Sequence, residues 1–323
     1  MNYFDAITEG ISVPLTKLAS GYKPAGLIGD KVFPTVGTIA TSGKIPVFSS
    51  KDAFKIYETL RAKGAYSKRA TISPDSWQTF SCDEHDLAIP LDQRELDELK
   101  ALPGDAVLKA LFSLENRQRR RVQWNLALEK EQAVANYIQT AGNYPAGHVL
   151  ALAGNDCFSE GATSKPITVI EAAREKIRDD IGLYPNTMVM GHATEALFKF
   201  HPAYVALLDA NKTKMVPMDF VASVHNIKTV IVGAAKALNA AGQLEDLWSD
   251  FLMLCYIPPS ETPDIDEPAF GYTITPTFSP KPYPYVDIFT EEGGKLVNVR
   301  CTDFYGIVMI MSACGYLITN TKK

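Results

Sequence analysis

A chain of 323 residues, 46% hydrophobic and 21% charged, has enough material for roughly two globular bodies or one elongated body with a substantial core. Its net charge of −5 excludes a dedicated nucleic-acid binder, which needs a basic surplus over at least one domain, although weak contact at a local basic face stays open. Five scattered cysteines without a C-x-x-C pair exclude a zinc ribbon and a thioredoxin-like motif, and the N-terminal residues lack a signal peptide's apolar run.

No stretch reaches the roughly 18 apolar residues of a membrane span. Free, mostly buried thiols in a reducing compartment are expected, with the chain made and folded in a cytoplasm. Residues 1–42 alternate short apolar pieces with Pro14, Pro24, Pro34 and six glycines out to Gly43. No helix or strand of useful length is predicted there. Tyr3, Phe4, Tyr22 and Phe33 nonetheless need burial, which implies an irregular arm that finds it on another surface.

Residues 43–80 carry seven basic side chains (Lys44, Lys51, Lys55, Arg61, Lys63, Lys68, Arg69) against three acidic ones. Phe54, Ile56, Tyr57, Tyr66, Trp77 and Phe80 are spaced as in an extended ribbon, with Gly64 where a hairpin would turn. A lone two-stranded ribbon is unstable in water. It either folds back on its own body or becomes ordered on a neighbouring copy. Tyr22, Phe33, Phe54, Arg61, Lys63, Lys68, Arg69 and Trp77 are the expected inter-subunit contacts.

A strand is predicted over 81–90, then one helix over about 105–140, near 50 Å long at 1.5 Å per residue. Its apolar stripe is Val107, Leu111, Leu114, Val122, Leu126, Ala133 and Tyr137. After a Gly/Ser/Asn-rich link, Thr168 to Glu171 spells a capping box and starts a helix closed by Gly182. Strands are expected over 187–190, 228–232, 251–257 and 270–275, with a helix over 195–208 broken at Pro202. Residues 296–302 alternate, and 304–318 read as a buried central strand. The early strand and these late ones are expected to pair, which makes the middle of the chain an insertion.

Chemistry is scarce. No P-loop, G-x-G-x-x-G, H-E-x-x-H, G-x-S-x-G or EF-hand spacing occurs. Asp83-Glu84-His85-Asp86 lies on a strand, where alternate residues face opposite sides and three ligands do not converge. A Cys157–His148 nucleophile pair lacks an orienting group. No catalytic residue, metal or cofactor is expected. The cluster of Arg117, Arg119, Arg120 and Arg121 reads as a solvated or inter-subunit face, or as a genome-facing patch that attracts phosphate without base specificity.

The order of arm, basic ribbon, strand, long helix, inserted α/β body and apolar sheet return resembles the major capsid proteins of tailed bacteriophages, with their HK97-type fold. Local sequence carries the likeness too: Phe33-Pro34-Thr35-Val36, Leu91-Asp92-Gln93-Arg94-Glu95-Leu96, Leu197-Phe198-Lys199-Phe200-His201-Pro202, Val232-Gly233-Ala234-Ala235, Leu247-Trp248-Ser249-Asp250, Cys255-Tyr256-Ile257-Pro258-Pro259 and Phe270-Gly271-Tyr272-Thr273. The resemblance implies an α+β fold with an N-arm (1–42), an extended E-loop (43–80), a peripheral domain (81–160 and 280–323) with its spine helix (about 105–140), and an axial domain (161–279). It also implies an E-loop laid across a neighbour's spine helix and peripheral domain, and a shell of hexamers and pentamers around double-stranded DNA in a virion. The arm's start almost at Met1 points to a separate scaffolding protein; a portal and a decoration protein are further implied partners, and no membrane. Lys63 and Lys68 are candidates, by type, for covalent crosslinking. Two alternatives stand beside it: an encapsulin-like compartment with the same fold, and an unrelated α+β cysteine hydrolase using Cys157 or Cys255.

Overall fold

A computed structural model describes residues 26–47, 54–70, 74–94, 97, 105–208, 215–258, 267–278, 282–291 and 293–323; of residues 105–115 it describes the backbone alone. Tyr22 and the stripe residues Val107, Leu111 and Leu114 therefore lie outside the described side chains. The elements run α1 (Gly29–Val32), β1 (Thr35–Thr38), β2 (Ser42–Val47), β3 (Ser76–Ser81), β4 (Asp83–Asp92), α2 (Asp105–Gln139), β5 (Val149–Ala151), α3 (Pro166–Ile181), β6 (Thr187–Gly191), α4 (His192–Phe200), α5 (Pro202–Val205), α6 (Met218–Val224), β7 (Thr229–Gly233), β8 (Lys236–Leu238), β9 (Leu244–Asp246), β10 (Phe251–Cys255), β11 (Gly271–Pro276), β12 (Tyr285–Thr290), β13 (Leu296–Met309) and β14 (Gly315–Thr319).

Two sheets organise these elements. The first is built on β13, whose first half is flanked by β12 and β4, both antiparallel; its second half pairs with β11, and β1 adds parallel to β11. The predicted union of the early and late strands is thus formed, in register from Leu296 opposite Asp92 to Tyr305 opposite Asp83. The second sheet has the order β5-β14-β10-β6-β7. Every residue of β6 and β10 is buried, so both faces are covered. That explains why these strands read as continuous apolar runs and not as alternation.

Sheet membership departs from the expected boundaries at three places. β5, within the range 81–160 expected in the peripheral domain, pairs with β14 in the second sheet. β11, expected in the inserted body, pairs into the first sheet, and β14, expected with the late strands, pairs into the second. The cause of the last is a turn at Ser312–Cys314 that cuts the apolar run 304–318 in two and sends its end across to β10. An apolar run identifies burial but not which sheet does the burying.

The helix α2 ties the two bodies together. Val122 and Leu126 pack beneath the first sheet with Leu91, Val286, Ile288, Val297 and Val299. A turn or two later Val134, Ala135 and Ile138 enter the core of the second. The predicted positions Ala133 and Tyr137 are half-buried neighbours of that stripe. α3 starts one turn before its expected cap: Lys165 is the N-cap, no side chain caps it, and Pro166 occupies the first turn, where a missing N–H costs nothing. The capping box does not form because the helix already begins at Pro166, which puts Thr168 inside its first turn, and Glu171 serves other partners, described below. At the other end Gly182 closes the helix at φ +74°, as its residue type demands.

Candidate inter-subunit surfaces

Part of the predicted arm is built into its own subunit. Gly29–Val32 forms a helical turn, Thr35–Thr38 pairs with β11, and Ser42–Val47 pairs with Ser76–Ser81. These elements are four to six residues long and hold their shape through partners distant in sequence, a signal that local punctuation conceals. Phe33, expected as an inter-subunit anchor, is corrected by this geometry. Its side chain is 0% exposed, stacked on Phe270 at 5.5 Å and edge-on to Tyr137 at 6.2 Å. Gly271 makes room for it, since a Cβ there would lie 2.0 Å from the ring.

The buried carboxylate of Glu131, on α2, was not singled out by sequence. It accepts the backbone N–H of Ile28 at 2.8 Å, the N–H of Gly29 at 2.7 Å and the indole N–H of Trp248 at 2.8 Å. Arm, spine helix and second body meet on one side chain. Burial pushes the Glu131 pKa up, opposed by the three donors. Flanked by Lys130 and Gln132 and two residues after the exposed Glu129, Glu131 reads as part of a charged face; its only sequence cue is the spacing of three, four and seven residues to Val134, Ala135 and Ile138.

The ribbon is paired at its base and bare beyond it. β2 and β3 form the ladder; of the described residues 54–70 none is in a strand, and the chain turns at Ala62–Gly64, with Gly64 at φ +84°. The Arg61 guanidinium closes the turn by donating to the Ala65 carbonyl at 3.0 Å, and Lys68 meets Glu58 at 3.3 Å. Phe54 rests on Gly182 of its own chain. Ile56 (96% exposed), Leu60 (84%) and Tyr66 (97%) are uncovered, as are Lys63, Arg69 and, on β3, Trp77. Such a run of exposed apolar side chains is more than the scattered single ones usual on a monomer's surface.

The arginine cluster divides. Arg117, Arg120 and Arg121 are exposed on one side of α2, whereas Arg119 is 4% exposed on the side that faces the core. Residue 119 shares a face with 122, 123 and 126 at helical spacing. A genome-facing role for Arg119 is therefore withdrawn.

The other reactive side chains are engaged or enclosed. Both ring nitrogens of buried His148 are taken, Nδ1 by the Gly315 carbonyl at 2.7 Å and Nε2 by the Asp180 carboxylate at 2.5 Å. None remains to activate Cys157. Nδ1 of His201 accepts the Ala203 N–H, so Nε2 donates to Ser164 Oγ at 2.9 Å, the wrong direction for a general base. Tyr204, His225, Glu171 and Arg174 form a chain of hydrogen bonds. Tyr204 and His225 are both 0% exposed, and burial lowers the His225 pKa while raising that of Tyr204. His85 stacks on Tyr305 at 4.5 Å and meets Glu129 at 3.2 Å. Among the described residues no group of three metal-ligating side chains converges. A cavity of about 460 Å³ lies between α1 and β7, lined by Ile28, Lys31, Asn186 and Lys228 among others, with no Cys, His, Asp or Glu in its wall.

All five cysteines are buried and unpaired. Burial pushes the thiols of Cys301 and Cys314 up to about 12 and raises those of Cys82 and Cys255 as well. At pH 8 a thiol of pKa ~12 is thiolate about once in ten thousand molecules, and the thiolate is the reactive form. Titration of the folded chain with a chromogenic disulfide at pH 8 is expected to find no fast thiol, and five after denaturation; one fast-reacting thiol in the native protein would speak for the hydrolase.

No family model matches the chain. It is 32% identical over 312 residues, 94% of either chain, to the major capsid protein of Burkholderia phage BcepMu. Among solved structures, a phage-related protein from Bordetella bronchiseptica RB50 superposes with a TM-score of 0.73 at 25% identity, covering 96% of this chain and 97% of that one. The SrpI encapsulin of Synechococcus elongatus PCC 7942 superposes with a TM-score of 0.55 at 10% identity, covering 97% and 96%, which is a likeness of fold alone. With the HK97-like architecture, the uncovered ribbon and a relative matched along nearly its whole length, the chain belongs to the phage major capsid proteins and is a shell-forming subunit of the virion.

Proposed function

We infer that this chain builds the icosahedral head that encloses a phage's double-stranded DNA, assembling in the host cytoplasm as hexamers and pentamers. The observation that carries this reading is the described loop 54–70. Three of its apolar side chains are at least 84% exposed within the subunit, a state that a second copy relieves. Closed assemblies multiply modest interfaces, so a ribbon that finds no cover at home gains it around every ring. The subunit is read as non-enzymatic, because each nucleophile–base pair described above is buried or committed to other bonds. Arg117, Arg120 and Arg121 are proposed to face the packaged DNA and attract phosphate without reading bases. Family membership also supports a scaffolding protein, a portal and a decoration protein as partners.

Replacing residues 55–69 by a short Gly/Ser link tests this reading. The expected product is a folded monomer, unchanged by circular dichroism, that forms no closed particles under the electron microscope at any concentration. Normal shells from this variant would overturn the reading. The encapsulin alternative is separated by the contents of intact particles, through their ratio of absorbance at 260 and 280 nm: packaged DNA is expected, and protein cargo alone would favour the compartment.

A further inference from the structure

His148, His201 and His225 are 1%, 2% and 0% exposed, and all belong to the second body. Two of them hold the short helix α5 from two sides. His201 is its N-cap: Nδ1 accepts the Ala203 N–H at 3.2 Å. Its Nε2–H donates to Ser164 Oγ at 2.9 Å, and Ser164 donates in turn to the Glu160 carbonyl at 2.9 Å. At His225, the C-cap of α6, Nδ1–H donates to the Glu171 carboxylate at 2.6 Å. That leaves Nε2 to accept the Tyr204 O–H at 2.8 Å. Tyr204 is edge-on to both imidazoles, at 6.2 and 5.9 Å, and to Phe198 at 5.5 Å. Each histidine thus gives α5 one ring lone pair, and a neutral imidazole has only one.

The lone pair is also where the next proton goes. On His201 it would set an N–H against the Ala203 N–H, two donors with no acceptor between them. On His225 it would face the Tyr204 hydroxyl and turn that group's proton away from its acceptor. His148 differs, because the Gly315 carbonyl and the Asp180 carboxylate both accept, so a second ring proton has a partner. Around His225 the charged groups are Glu171, which favours the imidazolium, and Arg174, which disfavours it and stacks on Tyr184 at 5.0 Å. Asp219 and Lys228 are exposed, at the far end of α6 and in the loop after it. Around His201 the charges are Glu160, paired with Lys323 at 3.5 Å, Lys199, paired with Glu195 at 2.8 Å, and the exposed Lys165. Burial outweighs these and lowers the pKa of both rings.

We propose that α5 is an acid-released latch, shut by two neutral histidines at neutral pH and freed when mild acid protonates them. Release withdraws Tyr204 from Phe198 and opens one corner of the second body. The first body has no counterpart: its histidine, His85, is partly exposed and stacked on Tyr305. A lowered histidine pKa stabilises the shut state above the ordinary value of about 6.5, and that contribution is lost as pH falls through the folded value. At pH 5 an exposed histidine favours its protonated form about 30-fold. Each ring freed on opening therefore pulls the latch open by up to that factor. The device is independent of how loop 54–70 is read.

Hydrogen exchange of the full-length, unassembled subunit tests it, read by mass spectrometry and corrected for the intrinsic pH dependence of exchange. The amides of Tyr204, Val205 and Ala206 are hydrogen-bonded within α5 and its cap. Between pH 7 and pH 5 their protection is expected to fall at least ~10-fold relative to β13. His201→Asn with His225→Gln puts a non-titrating amide oxygen where each lone pair stood, and asparagine is itself a good N-cap. That variant is expected to keep the same protection at both pH values. A wild-type helix as protected at pH 5 as at pH 7, or an equal fall in the variant, would overturn the proposal. So would an equal loss of protection in β13, which is ordinary acid unfolding. Should the double variant fail to fold, His201→Asn alone is the test: a several-fold smaller fall is expected, and an unchanged fall overturns the latch.

Discussion

Replacing Glu131 by alanine is expected to destabilise the subunit by about 3–5 kcal/mol, because it strips three buried N–H groups of their acceptor at once. For a chain of this size each kcal/mol moves Tm by roughly 2–4 °C, so a fall near 10 °C is expected in a thermal scan of the unassembled subunit. The donors come from Ile28, Gly29 and Trp248, so the loss loosens the arm, the spine helix and the second body together. Glu131→Gln keeps one carbonyl acceptor in the same space, and it is expected to cost clearly less than Glu131→Ala. The pH dependence has a definite sign. The folded-state pKa is raised, chiefly by burial, so this group's contribution is full below the ordinary glutamate value and declines as pH rises through the folded value. Glu131→Gln removes that decline, and the difference in stability between wild type and this variant is expected to shift against the wild type on going from acid to neutral pH. Equal stability of all three proteins in denaturant titrations would remove Glu131 from its place at the junction.

The second large effect separates two roles for one phenylalanine. If Phe33 anchored the arm to a neighbour, Phe33→Ala would leave the free subunit intact and weaken assembly. The structure instead encloses it between Phe270 and Tyr137, over Gly271. Truncating a fully buried phenylalanine costs about 3–5 kcal/mol, and that loss is expected in the dilute, unassembled subunit. Gly271→Ala is expected to destabilise through the same contact, because its new methyl group must displace the ring. A Phe33→Ala subunit with unchanged denaturation midpoint and impaired shell formation would return Phe33 to the interface.

The sequence showed most where a pattern is long. The helix over 105–139, the buried strands at Thr187 and Phe251, and the turn at Gly64 follow from periodicity, apolar runs and backbone freedom. It showed least where pairing is decided at a distance. Nothing local to Thr35–Thr38 announces a partner at Gly271–Pro276, so the segment reads as irregular. The same limit hid Glu131, whose three donors lie about a hundred residues away in both directions. Arg119 looked like its neighbours because charge clusters are read as composition, whereas the helix assigns each member its own face. The loop was legible because its problem is compositional: aromatic and aliphatic side chains among cations, with no core of their own.

The central claim is that residues 54–70 complete their burial on another subunit. Electron cryomicroscopy of assembled particles, at a resolution that traces the chain, decides it directly. The loop is expected to cross onto the adjacent subunit, with Ile56, Leu60 and Tyr66 covered there. A loop folded onto its own subunit in the closed shell, with those side chains still bare, would contradict the account.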